Sequence, residues 1–208
     1  MGPRWDTGTV NDSIIRHPDQ TLARCVREVI DHVDADGWGG PPRMFGLVPT
    51  ALLAAAEPTL LDQLEDGAQL TPVEQEAFPD DIDGGSPALD EFLATTSWPD
   101  SVVGCVLVQE IVVLPPTAES DVLASATTTT GADAAARAAA LAHPDRREAR
   151  LIAGVLRDGP SVSVLQLRPD EDADPFGEMD LRTSDDLAPN LVNALYATFD
   201  AGPEDDWS

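Results

Sequence analysis

Apolar residues recur along this chain with two periods, and the change from one to the other marks out its elements. Leu22, Cys25, Val26, Val29, Ile30 and Val33 keep the three-and-four spacing of a helix with one buried face. Arg24, Arg27, Glu28 and Asp31 take the opposite face. The pattern predicts a helix over 21–33, capped by Asp19 after Pro18 and stopped at Asp36-Gly37. Glycines and prolines at 37–42 then form a turn-rich loop, and 43–48 reads as a short strand. Two short helices, 50–56 and 59–65, are separated by Pro58, which lacks an amide hydrogen and clashes with the preceding turn.

Residues 69–86 are acidic and read as loop, and Ser86-Pro87 opens a helix over 87–95. Residues 102–114 are almost continuously apolar and rich in valine, the signature of a central strand covered on both faces. A Ser/Thr/Ala loop over 120–131 and an alanine-rich helix over 133–142 follow. Runs 149–156 and 161–168 form a hairpin across Arg157-Asp158-Gly159-Pro160. Because Pro160 has no N–H to close a two-residue turn, the expected closing pair is Leu156 with Ser161, which sets Arg150 against Leu167. A last helix spans 187–199. The expectation is one α+β domain in the order α-β-α-α-β-α-β-β-α. Its mostly antiparallel sheet of about four strands packs against helices, with an ordered core over about 13–200 and a disordered acidic tail over 201–208.

Charge narrows the functions open to such a fold. The chain carries 38 acidic and 12 basic residues, a net charge of −26, and every basic residue is arginine. Such a surface repels nucleic-acid phosphates and anionic lipid, so neither is an expected partner. Cationic partners, metal ions and simple solubility stay open. The two signs are also segregated: 16 acids and no base lie between Arg43 and Arg137. No stretch reaches the roughly 18 apolar residues of a membrane span, and no signal peptide opens the chain. Cys25 and Cys105, far apart inside apolar segments, read as two buried thiols of a cytoplasmic protein.

Motifs of catalysis fail on inspection. Gly37-Trp38-Gly39-Gly40 follows a helix and runs into two prolines, whereas a phosphate loop follows a strand and opens a helix. Asp170, Asp172 and Asp174 match the start of a calcium loop, but Pro175 and Leu181 stand where glycine and glutamate are required. No nucleophile elbow occurs, and the three histidines have no partners at metal-ligand spacing. No cofactor is expected. Two features remain. Glu110 is a carboxylate in the middle of the apolar strand; it either pairs with an arginine or reaches solvent, or it is an acid/base group with a raised pKa. Arg146, Arg147, Arg150 and Arg168 gather at the open end of the hairpin, where they pair with nearby acids or take an anion.

Three stretches carry a resemblance. They are Leu22–Glu28 with Gly37-Trp38, Pro41-Pro42-Arg43-Met44-Phe45 and Leu47-Val48; Ser97-Trp98-Pro99 with Val102, Gly104 and Cys105; and His143-Pro144 with Arg146-Arg147-Glu148 and Arg150-Leu151. Together they resemble an uncharacterised family of small acidic actinobacterial proteins with no assigned activity. The resemblance implies a cytoplasmic bacterial protein and supplies no substrate, cofactor or catalytic residue. The expected function is therefore a non-catalytic binding or accessory protein. Its partner would be another protein, met in the Trp38–Phe45 region, where Trp38, Pro41, Pro42, Met44 and Phe45 form a partly exposed apolar site with Arg43 among them. The alternative is a small-molecule enzyme or sensor that holds an anionic ligand with Glu110, Arg150 and Arg168.

Overall fold

The computed structural model describes residues 17–57, 59, 67–79, 81–114, 142–170, 172, 177–184 and 187–200. Its elements are α1 (Pro18–Ala35), β1 (Arg43–Pro49), α2 (Thr50–Ala56), β2 (Leu70–Glu74), α3 (Pro87–Thr95), β3 (Gly104–Val113), β4 (Arg147–Leu156), β5 (Ser161–Leu167), β6 (Leu181–Thr183) and a C-terminal helix, α4 (Pro189–Asp200). The six strands form one sheet in the order β2-β1-β3-β4-β5-β6, antiparallel at every pairing.

The α+β class and the antiparallel sheet match the expectation, but the sheet has six strands where about four were expected. The two additional strands are its edges. The first, β2, lies inside the acidic 69–86 segment read as loop, and it contains Pro72. Thr50 N–H donates to the Gln69 carbonyl and Gln75 N–H to the Met44 carbonyl, so the bonded pairs alternate from those two ends. Pro72, opposite Leu47, falls at a non-bonded position with its nitrogen turned away from β1. An edge strand tolerates proline there. The other strand, β6, has only three residues, too few for a period to show. The predicted helices 59–65 and 133–142, the 120–131 loop, and the chain ends 13–16 and 201–208 lie wholly or almost wholly outside the described residues.

Two core layers sandwich the sheet. Even-numbered residues of β3 and β4 (Val106, Val108, Ile152, Leu156) meet the apolar stripe of α1, with Phe45 and Leu47 of β1. Odd-numbered residues (Cys105, Leu107, Ala153, Val155) meet Leu89 and Leu93 of α3 and Leu195 and Phe199 of α4. The period of two along each strand thus assigns every side chain to one layer. Over Gly104–Gln109 the central strand is covered on both faces, as its valine-rich run implied, and from Glu110 it is half-buried. Gly154 lets α1 settle against β4, because a Cβ there would stand 2.8 Å from Val26 Cγ2.

Local corrections follow from backbone chemistry. The N-cap of α1 is His17 with a left-handed backbone and no side-chain cap; Asp19 instead sits in the first turn, where its charge suits the helix dipole. Ser86 caps α3 as expected, its Oγ accepting from Leu89 N–H at 3.2 Å. In the β4–β5 hairpin, Pro160 closes the loop with its carbonyl, which accepts from Leu156 N–H at 3.0 Å. That pairing is one residue tighter than expected. It sets Val155 against Ser161 and Arg150 against Gln166, not Leu167.

Candidate functional site

The one-residue shift in register decides what the sheet offers beneath the end of α1. Glu110 on β3 lies directly opposite Arg150 on β4, and Arg150 lies opposite Gln166 on β5. All three fall on the face that carries Val106, Val108 and Ile152. They make a polar row across three strands at the point where α1 runs out and can no longer cover the sheet with apolar side chains.

Arg150 is buried at the centre of this row. Its Nε stands 3.4 Å from Glu110 Oε1, and its Nη1 is 3.5 Å from Asp34 Oδ1 on the last turn of α1. Nη2 donates to the Gly37 carbonyl. The guanidinium carbon lies over the Trp38 ring, 4.1 Å from its centroid, a cation–π contact. Burial pulls the Arg150 pKa down, while Glu110 and Asp34 pull it back up. Gln166 Nε2 donates to the same Asp34 oxygen at 2.8 Å. Gly39 N–H donates to both oxygens of Glu110, at 2.9 and 3.0 Å. The loop after α1 can fold back this way because Gly37 and Gly39 adopt φ of 84° and 94°, a region that side chains disfavour. One guanidinium and one carboxylate thus latch the 37–42 loop onto the sheet.

The latched loop walls a cleft of about 430 Å³. Trp38, Pro41, Pro42, Val33 and Val108 supply apolar surface, and Arg43, Glu74, Glu76 and Glu110 supply charge. Arg43 opens β1. Its Nε and Nη2 donate to the two oxygens of Glu74 at 2.6 and 2.8 Å, and its Nη1 donates to Asp36 at 2.6 Å. The Arg43 hydrogen bond holds the Glu74 carboxyl below the usual range against the effect of burial, and His32 adds to it.

The predicted residues therefore separate into groups. Trp38, Arg43, Glu110 and Arg150 line this cleft. Arg146, Arg147 and Arg168 line a second, shallower concavity of about 480 Å³ with Glu148 and Asp170. The expected gathering of four arginines is thus split, because residue 150 points to the α1 layer and is covered while the others sit at the strand ends. Arg168 links the two places, lying 5.7 Å from the Trp38 ring while pairing with Glu148. Phe45 belongs to neither: it is buried under α1 with its ring edge-on to His32, and Met44 is buried in the opposite layer. Of the apolar patch expected from Trp38, Pro41, Pro42, Met44 and Phe45, the last two are turned into the two cores by alternation along β1, while Trp38, Pro41 and Pro42 line the cleft. Sequence reasoning missed Asp34 and Gln166. Gln166 left a signal, being the one polar residue in the Val162, Val164, Gln166 stripe that faces α1.

Both cysteines are free and buried. Burial pushes the Cys105 thiol up to about 12. Among the described residues, no helix is long and apolar enough to cross a membrane, and no group of three acidic, histidine or cysteine side chains could hold a metal ion.

An antiparallel sheet between helical layers, with a cleft latched by a buried arginine at the end of α1, defines an α+β protein with a cleft of mixed apolar and charged lining. The chain belongs to the PPA1309-like protein family, whose model matches residues 22–200. No curated protein and no solved structure matches it.

Proposed function

We propose that this is a non-catalytic binding or accessory protein of an actinobacterial cytoplasm, and that its partner is another protein engaged at the cleft beside the 37–42 loop. The observation that carries the reading is how fully Arg150 is committed. Each of its three nitrogens has a partner, in Glu110, Asp34 and the Gly37 carbonyl, and the Trp38 ring lies against it. A guanidinium so placed shapes a wall, and a substrate would have to compete with partners already in position. The charged groups are spent on keeping an apolar-walled cleft preformed, which lowers the ordering cost of binding. The net charge of −26 argues against nucleic acid and anionic membranes as partners. The test immobilises the full chain in cytosol from an actinobacterium. One protein should be retained in stoichiometric amount by wild type and lost with Ala77→Tyr, which fills the cleft from an exposed position. Recovery of no partner, together with turnover of a component in a metabolite mixture, would overturn the reading.

A second reading has its own support: Glu110 and Arg150 meet at 3.4 Å on the cleft wall, an arrangement that suits an enzyme or sensor for a small anion. It requires the ligand to displace one of Arg150's partners or to use Arg168. Screening dicarboxylates and phosphate esters for a rise in Tm that Arg168→Gln abolishes is its test. A flat response across the panel removes it.

A further inference from the structure

We infer that the cleft takes an arginine or lysine side chain presented by an extended segment of the protein partner. This rests on the proposed binding role and adds the partner's chemistry to it. In each ion pair the carboxylate is the member that faces outward. Arg150 is 2% exposed, against 36% for Asp34 and 25% for Glu110. Arg43 is 19% exposed, against 60% for Asp36 and 39% for Glu74. In both clusters the guanidinium lies inside and the carboxylates outside. Each cluster sets two carboxylates against one guanidinium and so keeps a net negative charge; of these acids Asp36, Glu74 and Glu110 line the cleft and present oxygen to it. Glu76, exposed on the same rim, has no cationic partner among the described residues.

An anion approaching this site meets the carboxylate fringe before it reaches a guanidinium, and both guanidinia are already engaged. A cation meets complementary charge first. The apolar walls at Trp38, Pro41 and Val108 suit the methylene stem of a long basic side chain, which buries its carbons while its head stays with the oxygens. The overall charge of −26 would steer such a partner inward at low salt. What localises it is the cleft, where apolar surface and outward carboxylates coincide.

The experiment uses the full chain and three fluorescein-labelled nonapeptides of equal length: one with two arginines among prolines, leucine and glycines, one with citrulline in their place, and one with glutamate. Citrulline keeps the shape and removes the charge. Anisotropy at near-physiological salt should show saturable one-to-one binding of the arginine peptide alone. The double variant Asp36→Asn, Glu76→Gln should weaken it about tenfold or more, a change of about 1.4 kcal/mol. Glu91→Gln, an exposed charge removed on α3, should change it less than about twofold, the size expected when one distant, screened charge is lost. Equal weakening by Glu91→Gln, or many peptides bound per chain, would mean attraction to total charge and would overturn the inference. So would binding of the glutamate or citrulline peptide as tight as that of arginine. If Ala77→Tyr abolishes capture of a partner whose cross-linked segment at the cleft has no basic residue, this inference falls and the binding role stands. If no peptide binds and no partner is captured, both fall.

Discussion

Strands β3 and β4 run beside each other for ten residue pairs, and the two halves of that ladder are stabilised in different ways. In the inner half, Gly104–Gln109 against 151–156, every residue is buried and both faces lie under helices. There each fully buried valine, leucine or isoleucine contributes roughly 1.5–3 kcal/mol by leaving water. In the outer half, 110–113 against Arg147–Arg150, the cover by helices ends among the described residues. The residues of β3 become half-buried, and the side chain at the boundary is a charged one. On the α1 face the helix gives way here to the loop that carries Trp38. A single buried guanidinium ties that loop down onto the strands. The comparison shows that one continuous ladder changes its source of stability where α1 stops.

Breaking the outer half should have the largest effect. Arg150→Met removes the guanidinium from Glu110, Asp34 and the Gly37 carbonyl, while Gly39 and Gln166 still bond the two partly solvated carboxylates. Loss of the charge-assisted hydrogen bonds, about 1.5–3 kcal/mol each, should cost about 3 kcal/mol in total, to be read from urea unfolding. The Trp38 environment should change with it, visible as a shift in tryptophan emission. The inner half breaks next, through pH. Burial raises the Cys105 thiol to about 12, so the folded chain holds that proton more tightly than the unfolded one. The stability this gives is complete below the ordinary thiol range, near 9, and is lost as pH climbs toward 12. By about pH 10.5 the loss should reach about 2 kcal/mol relative to a Cys105→Ala chain, whose unfolding should depend less steeply on pH.

A packing change in the inner half comes third. Gly154→Ala places a Cβ 2.8 Å from Val26 Cγ2 and so pushes α1 outward. Overpacking of this kind costs about 1–3 kcal/mol, and faster amide exchange along α1 would report where it is felt. Last, Arg168→Gln sharpens the contrast with Arg150. Both arginines lie against Trp38, but Arg168 pairs with Glu148 at the surface. Its loss should change stability by only about 0–1 kcal/mol, and salt should erase even that. A loss as large as that of Arg150→Met would show that exposure does not separate the two.

Wherever one period ran long enough to repeat, the chain announced its own structure. The stripe from Leu22 to Val33, the valine run of β3 and the apolar runs of β4 and β5 each state an element and its buried face, because burying one face is a local demand. Edge strands were hidden, since β2 contains a proline harmless only at an unbonded edge position and β6 is shorter than any recognisable repeat. The arginines at 146, 147, 150 and 168 were visible as a group, but their separate fates were not. Those depended on a register that one carbonyl of Pro160 sets, and on α1 ending above Arg150 and not above its neighbours. Charge sign along the chain is local chemistry. Which charges face outward depends on elements distant in sequence, and only the packed sheet brought Asp34, Trp38, Glu110, Arg150 and Gln166 together.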